Sequence, residues 1–146
     1  IQHESEVRFL NQLNDYLARS DNAFSAYDWW LFSKLDETLD AVYIPYYDPR
    51  VNRMRQFNPD FIFWLKKGRE YRILFVDPKG MQNIDWAHKI AGYRKLFEDP
   101  DTGKPLVFQR DGLSVQVHCA LYTPDANRAP HDYHRYWFDS PGQLVG

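Results

Sequence analysis

The sequence contains very little cysteine, no long apolar run and no excess of positive charge. Its 146 residues include one cysteine, Cys119, which excludes an internal disulfide and a zinc site built from several cysteines. No apolar run approaches the roughly 20 residues that a membrane helix needs. The first residues also lack the basic and apolar regions of a secretory signal. These absences predict a cytoplasmic protein that does not contact a membrane.

Glycine and net charge exclude two further classes of protein. The seven glycines are scattered and form no phosphate-cradling motif, so the chain does not bind ATP by a P-loop. The formal net charge of −2 is unlike that of a dedicated nucleic-acid coat protein, so any DNA contact must come from local basic patches. Three stretches could supply such patches, at Arg50 to Arg55, Lys66 to Arg72 and Lys89 to Lys95, and a solvated face or turn is the alternative reading of each. The candidate contacts are Arg53, Arg55, Lys89 and Arg94.

Apolar and aromatic residues are abundant enough, at 44% and 17%, to form the core of one domain. We expect residues 1–146 to be a single domain from the C-terminal region of a longer protein, since the sequence lacks an initiator methionine. The patterns predict helices at Glu4–Leu17 and Asn83–Phe97, a helical or mixed segment at Asp28–Leu39, strands at Ala41–Asp48, Phe57–Leu65, Tyr71–Asp77 and Ser114–Tyr122, and a polar connection at Pro49–Gln56. This order predicts an α/β fold with a mixed central sheet flanked by helices.

The predicted hairpin carries charged residues at one end of two otherwise apolar strands. A turn near Gly68 gives antiparallel partners whose numbers sum to about 136 or 137, which places Asp60 opposite Val76 or Asp77. Asp77 and Lys79 alternate with Pro78 and therefore share a face. Two neighbouring carboxylates repel each other and are costly to desolvate, and one lysine cannot neutralise both. A divalent cation such as Mg²⁺ can, and a strand-end salt bridge is the alternative.

These residues resemble a known signature. Pro59-Asp60, followed after 16 residues by Asp77-Pro78-Lys79, resembles the motif of the PD-(D/E)XK nuclease superfamily. The surrounding sequence is similar to the C-terminal endonuclease domain of type III restriction subunits and of helicase–nuclease fusions. The resemblance covers Glu4 to Phe97 in its order of elements. It implies a restriction-endonuclease-like αβββαβ core.

The resemblance also implies a metal-dependent endonuclease that hydrolyses DNA phosphodiester bonds. Asp60 and Asp77 would hold Mg²⁺, with Mn²⁺ as a substitute, and Lys79 would be the catalytic lysine. Relatives often draw a further acidic ligand from the first helix, where Glu6 fits best because it shares the apolar face, and Glu4 is the alternative. Many relatives carry a polar residue on the next helix, sometimes as Gln-x-x-x-Tyr. Here Lys89 stands four residues before Tyr93, a departure that leaves its role open.

The implied setting is the cleavage module of a type III-like restriction enzyme or helicase–nuclease. Its partners would be DNA, a helicase or ATPase region of the same chain, a methyltransferase or specificity subunit, and a second copy in a homodimer. The alternative is a non-catalytic module of the same fold that binds nucleic acid or serves as a scaffold. His131 and His134 could share a metal if they were helical. A surface tail is the preferred reading, because no third ligand is evident nearby.

Overall fold

The structure is a computed structural model that describes residues 4–36, 42–78, 85–123 and 129–145. The helices are α1 (Glu4–Leu17) and α2 (Trp86–Phe97). The strands are β1 (Trp29–Lys34), β2 (Ile44–Asp48), β3 (Arg53–Phe57), β4 (Phe61–Lys67), β5 (Glu70–Asp77), β6 (Phe108–Arg110), β7 (Leu113–Tyr122) and β8 (Trp137–Phe138). Short 3₁₀ helices lie at Ala23–Ala26, His131–Tyr136 and Pro141–Gln143.

Most of the strands join one mixed sheet. Its order is β1-β4-β5-β7-β6, with β8 beside β7. The neighbours β1, β4 and β5 are antiparallel, whereas β5 and β7 run parallel. A parallel pair needs a long crossover connection, and α2 lies in the connection between β5 and β7. The predicted α/β class, with a mixed central sheet flanked by helices, is confirmed.

The core has one layer on each face of the sheet, because successive side chains of a strand point to opposite faces. On one face, Phe61 of β4 packs against Phe9 of α1, with ring centroids 5.3 Å apart. On the other face, Ile62 of β4 belongs to the same cluster as Ile90 of α2. All four side chains are buried. The face that a residue occupies therefore decides which helix it meets.

Strands β2 and β3 form a separate two-stranded ribbon that packs on α2. The approach is close at Gly92, where an added Cβ would lie 2.5 Å from the Pro45 carbonyl oxygen and 2.6 Å from the Tyr46 Cβ. The ribbon is inserted between β1 and β4, which pair directly with each other through Lys34 and Phe61. When the ribbon and the short strands β6 and β8 are set aside, the order of α-helices and strands is α1, β1, β4, β5, α2 and β7.

Two sequence predictions of local structure are wrong. The segment Asp28–Leu39, predicted as helical or mixed, contains strand β1 and no helix in its described part, and residues 37–39 lie outside the described residues. Trp30 and Phe32 point together toward the α1 face, and the strand pairs with β4. The polar connection Pro49–Gln56 contains most of β3, whose pairing with β2 stabilises it. The sequence also left β6 and β8 unpredicted.

The other predicted elements are confirmed in type. Helix α1 has the predicted bounds, and the hairpin turns at Gly68, whose positive φ of 60° favours glycine. Helix α2 begins at Trp86, and the predicted start at Asn83 lies outside the described residues. Within the described ranges, no helix is long and apolar enough to cross a membrane.

Candidate active site

Asp60 and Asp77 face each other at the end of β4 and β5. The last backbone pair of these strands is Phe61 with Val76, so the next position outward joins Asp60 with Asp77. The backbone at Asp60 is held on its other side by β1, because the Leu35 N–H donates to the Asp60 carbonyl oxygen at 2.7 Å. Directly opposite residues of an antiparallel pair have Cβ atoms about 5 Å apart. The register therefore brings two of the predicted site residues together.

Both carboxylates lie on the α2 face of the sheet, because each follows the alternation of Ile62 and Phe75. Asp77 is only 3% exposed, and Asp60 is partly buried. Cys119 of the neighbouring strand β7 pairs with Phe75 of β5. Burial raises the pKa of the Cys119 thiol, and Asp77 and Glu98 raise it further. Asp77 is thus a buried acid within electrostatic reach of Cys119.

Lys89 of α2 is buried on the same face, at 8% exposure. Its ammonium nitrogen lies 5.1 Å from the centroid of the Phe57 ring, and its positive charge lowers the pKa of Cys119. This position is unlike the exposed one expected for a contact with a DNA phosphate. Lys89 is instead a buried lysine that, like Asp77, lies within electrostatic reach of the Cys119 thiol.

Lys79 lies outside the described residues, which resume at Asp85 after Pro78. Its predicted role as the catalytic lysine stays a prediction. Asp77, two positions before it, ends β5.

Glu6 is buried as predicted, at 3% exposure, but its carboxylate lies on the α1 side of the sheet. The Lys34 ammonium donates to Glu6 Oε2 at 3.0 Å. Lys34 pairs with Phe61, whose side chain also points to the α1 face. In the described ranges, no three His, Cys, Asp or Glu side chains lie close enough to share a metal ion. The geometry therefore brings Asp60 and Asp77 together and gives Glu6 a different partner.

A second charged cluster fastens the ribbon to α2. Asp48 is fully buried and accepts hydrogen bonds from Arg50 Nε and Arg55 Nη1, each at 3.1 Å. These bonds, with that to Arg50 dominant, hold the Asp48 pKa far below its usual range. Arg50 also pairs with Asp85, which precedes α2. The side chain of Arg53, whose backbone pairs with Asp48, makes no ion pair or hydrogen bond within the described part of the chain. Sequence reasoning missed Asp48, although a charge that ends an apolar strand is the same signal that identified Asp77.

The Arg94 side chain binds other residues of the protein. Its Nε donates to the Tyr136 hydroxyl at 2.8 Å, and its guanidinium lies over the Tyr133 ring at 4.9 Å from the centroid. These contacts dock the 3₁₀ helix His131–Tyr136 on α2, beside a cleft of ≈ 750 Å³. The cleft is lined by Glu98, Arg135 and their neighbours and does not include the carboxylate pair.

The protein is therefore a mixed α/β protein with a pair of carboxylates at the end of its central sheet. Residues 2–110 match the model of the YagJ family, and the chain belongs to that family. The match includes the ribbon and both strands of the carboxylate pair, and it ends with β6. No curated protein and no solved structure matches the chain.

Proposed function

We propose that this protein is a metal-dependent endonuclease domain that hydrolyses DNA phosphodiester bonds. The observation that carries the proposal is the facing pair of carboxylates, Asp60 and Asp77, at the end of two apolar strands. Further support comes from the order of elements. With the ribbon, β6 and β8 set aside, the order is helix, three antiparallel strands, helix and parallel strand, which is the order that the resemblance to PD-(D/E)XK nucleases implies.

The chemistry of the donor set suits a magnesium ion. Two carboxylates this close repel each other and are costly to desolvate, so a divalent cation stabilises them together. Mg²⁺ is commonly held by one or two carboxylates and keeps its other positions for water and phosphate oxygens. When bound, such an ion polarises the phosphodiester and lowers the pKa of a water beside it. Mn²⁺ prefers similar oxygen ligands and is expected to substitute.

The side chains of the protein would hold the metal ion in place and balance the charges around it. Asp60 and Asp77 would hold the ion, and Lys79 would offset the negative charge that develops on the phosphate in the transition state. Lys89, buried on the same face, would position Asp77 by its charge. We assign the domain to the cleavage module of a type III-like restriction enzyme or helicase–nuclease. In that setting a helicase region, a methyltransferase subunit or a second copy would supply the missing functions.

The test is a nicking assay on supercoiled plasmid DNA with Mg²⁺ and, separately, Mn²⁺. Asp77→Ala is compared with wild type and with Asp15→Ala, a matched change at an exposed position of α1. We expect metal-dependent nicking by wild type and Asp15→Ala and none by Asp77→Ala. Nicking by Asp77→Ala at the wild-type rate would refute the site.

If no variant nicks in either metal, the catalytic proposal fails for this domain. Binding of nucleic acid without cleavage would then favour the non-catalytic module of the same fold.

A further inference from the structure

The β2–β3 ribbon presents an uncovered outer side. Tyr47 and Met54 are cross-strand partners on this side and are 50% and 60% exposed. Val51, in the turn between the strands, is 50% exposed. The inner side is buried against α2 through Ile44 and Tyr46. Large apolar side chains that remain this exposed on one side of a ribbon indicate a contact surface.

The charge of the ribbon is opposite to that of the whole chain. The segment from Pro49 to Gln56 contains three arginines and no acid, although the chain carries a net charge of −2. Arg53 is exposed, and its side chain makes no ion pair or hydrogen bond with any described residue. Arg50 and Arg55 use some of their donors on Asp48 and still keep side chains that are 39% and 42% exposed. Cross-strand pairing with Asp48 and Tyr46 puts Arg53 and Arg55 on the face of the ribbon opposite to Tyr47 and Met54. Exposed arginine donors on one side of a narrow ribbon and an apolar strip on the other suit a polyanion that also has apolar edges.

The ribbon is held in a fixed position relative to the carboxylate pair. At its tip, the buried Asp48 binds Arg50, and Arg50 binds Asp85 at the start of α2. At its base, the buried Phe57 underlies Lys89 and is three residues from Asp60. The ribbon can therefore locate a bound molecule with respect to the site.

We propose that the β2–β3 ribbon enters the major groove of B-form DNA and places the duplex against Asp60 and Asp77, an inference that rests on the proposed function. The major groove of B-form DNA is about 12 Å wide and admits a two-stranded ribbon. The corresponding groove of A-form RNA is deep and narrow and does not. Arg53 binds a backbone phosphate, and Tyr47 and Met54 contact base edges and thymine methyl groups. The substrate is therefore duplex DNA.

The first experiment measures binding without cleavage. Fluorescence anisotropy in EDTA compares a DNA duplex, an RNA duplex and a single DNA strand of one sequence. We expect the DNA duplex to bind most tightly. Arg53→Ala should weaken that binding several-fold and lower the slope of log K against log salt by about 1. Arg69→Ala, an exposed arginine in the turn between β4 and β5, should change neither. Equal binding of DNA and RNA duplexes overturns the proposal.

The second experiment places a negative charge on the ribbon. Met54→Glu should weaken duplex binding at least about 10-fold, because like charges oppose each other at close range. Val107→Glu, at an apolar residue that is 51% exposed elsewhere, is the matched control. Unchanged binding by Met54→Glu overturns the role of the ribbon. Wild-type binding to none of the three nucleic acids also overturns it and favours a protein partner.

The two proposals can fail separately. A wild-type protein that binds duplex through the ribbon but never nicks plasmid contradicts the nuclease function and leaves the ribbon as a DNA-binding element. A protein that nicks plasmid while Met54→Glu nicks and binds as well as wild type retains the function and loses the ribbon inference.

Discussion

Asp60 and Asp77 occupy facing positions one step beyond the last backbone pair of β4 and β5. If they hold a metal ion, Mg²⁺ stabilises the folded protein. The gain is about 3 kcal/mol at a concentration near 100 times the dissociation constant. We expect Mg²⁺ to raise the melting temperature of wild type and of Asp15→Asn by several degrees, and to leave Asp60→Asn and Asp77→Asn unchanged. A rise of equal size in all four proteins would locate the metal elsewhere.

The ion pair between Glu6 and Lys34 predicts an asymmetric response to mutation. Glu6 is buried whereas the Lys34 side chain is 45% exposed. Lys34→Met leaves a buried carboxylate without its cation and should cost about 2–3 kcal/mol. Glu6→Gln leaves a lysine that water can solvate and should cost about 1 kcal/mol. Urea unfolding measures both. Loss of the Mg²⁺ effect in Glu6→Gln would instead support Glu6 as a metal ligand.

The buried position of Lys89 predicts a defect in activity together with a loss of stability. Lys89→Met keeps most of the volume but removes a buried charge close to the carboxylate pair, so we expect a cost of about 2–3 kcal/mol. Plasmid nicking should fall at least about 10-fold, the factor that corresponds to 1.36 kcal/mol. Lys95→Met, at an exposed position of the same helix, should nick normally. Equal activity of the two variants would remove Lys89 from the site.

Gly92 predicts a reversal of the usual effect of alanine in a helix. Glycine to alanine inside a helix normally stabilises by about 1 kcal/mol. At Gly92 the new Cβ would overlap the Pro45 carbonyl oxygen and Tyr46, so we expect Gly92→Ala to destabilise by about 1–3 kcal/mol. Gly142→Ala is a control, because its added Cβ meets the Tyr16 hydroxyl at 3.4 Å. A Gly92→Ala protein as stable as wild type would contradict the close packing of the ribbon on α2.

His118 predicts a loss of stability in mild acid. Burial, with a smaller effect of Arg72, lowers the pKa of His118 from 6.5 to about 4. Between these two pH values His118 binds a proton in the unfolded chain but not in the folded protein. The stability therefore falls as the pH falls from about 6.5 to about 4. Between pH 7 and pH 5 the loss is up to about 2 kcal/mol. Urea unfolding at the two pH values should show a smaller loss in His118→Gln. The exposed control His131→Gln should keep the full pH dependence.

The carboxylate pair was predictable because both residues end strands that are otherwise apolar, and the turn at Gly68 sets their register. Glu6 was predicted to be buried from its position on the apolar face of α1, and that is correct. Its partner Lys34 was not predicted, because the run from Trp29 to Lys34 has no clear period of two or of 3.6 residues. Only pairing with β4 makes it a strand.

Of the two strands of the ribbon, only β2 was predictable from the sequence. The apolar residues of β2 indicated a strand, whereas β3 is exposed at every residue except Phe57 and has no alternation that a sequence could display. The structure of β3 depends on backbone hydrogen bonds to β2 and on the ion pairs of buried Asp48 with Arg50 and Arg55. Both are tertiary contacts that the local sequence does not show. The buried position of Lys89 was hidden for the same reason, since it depends on Phe57 lying over α2.

The direct pairing of Lys34 with Phe61 has a consequence for how this protein can diversify. The chain leaves the sheet after Lys34 and re-enters it at the facing residue Phe61, so the β2–β3 ribbon is an excursion whose two ends lie side by side in the sheet. A longer, shorter or differently charged ribbon changes the closure entropy only slowly with length and leaves the pairing of β1 with β4 intact. Under the proposed function, changes in the ribbon would therefore alter the surface offered to DNA while Asp60 and Asp77 keep their facing positions.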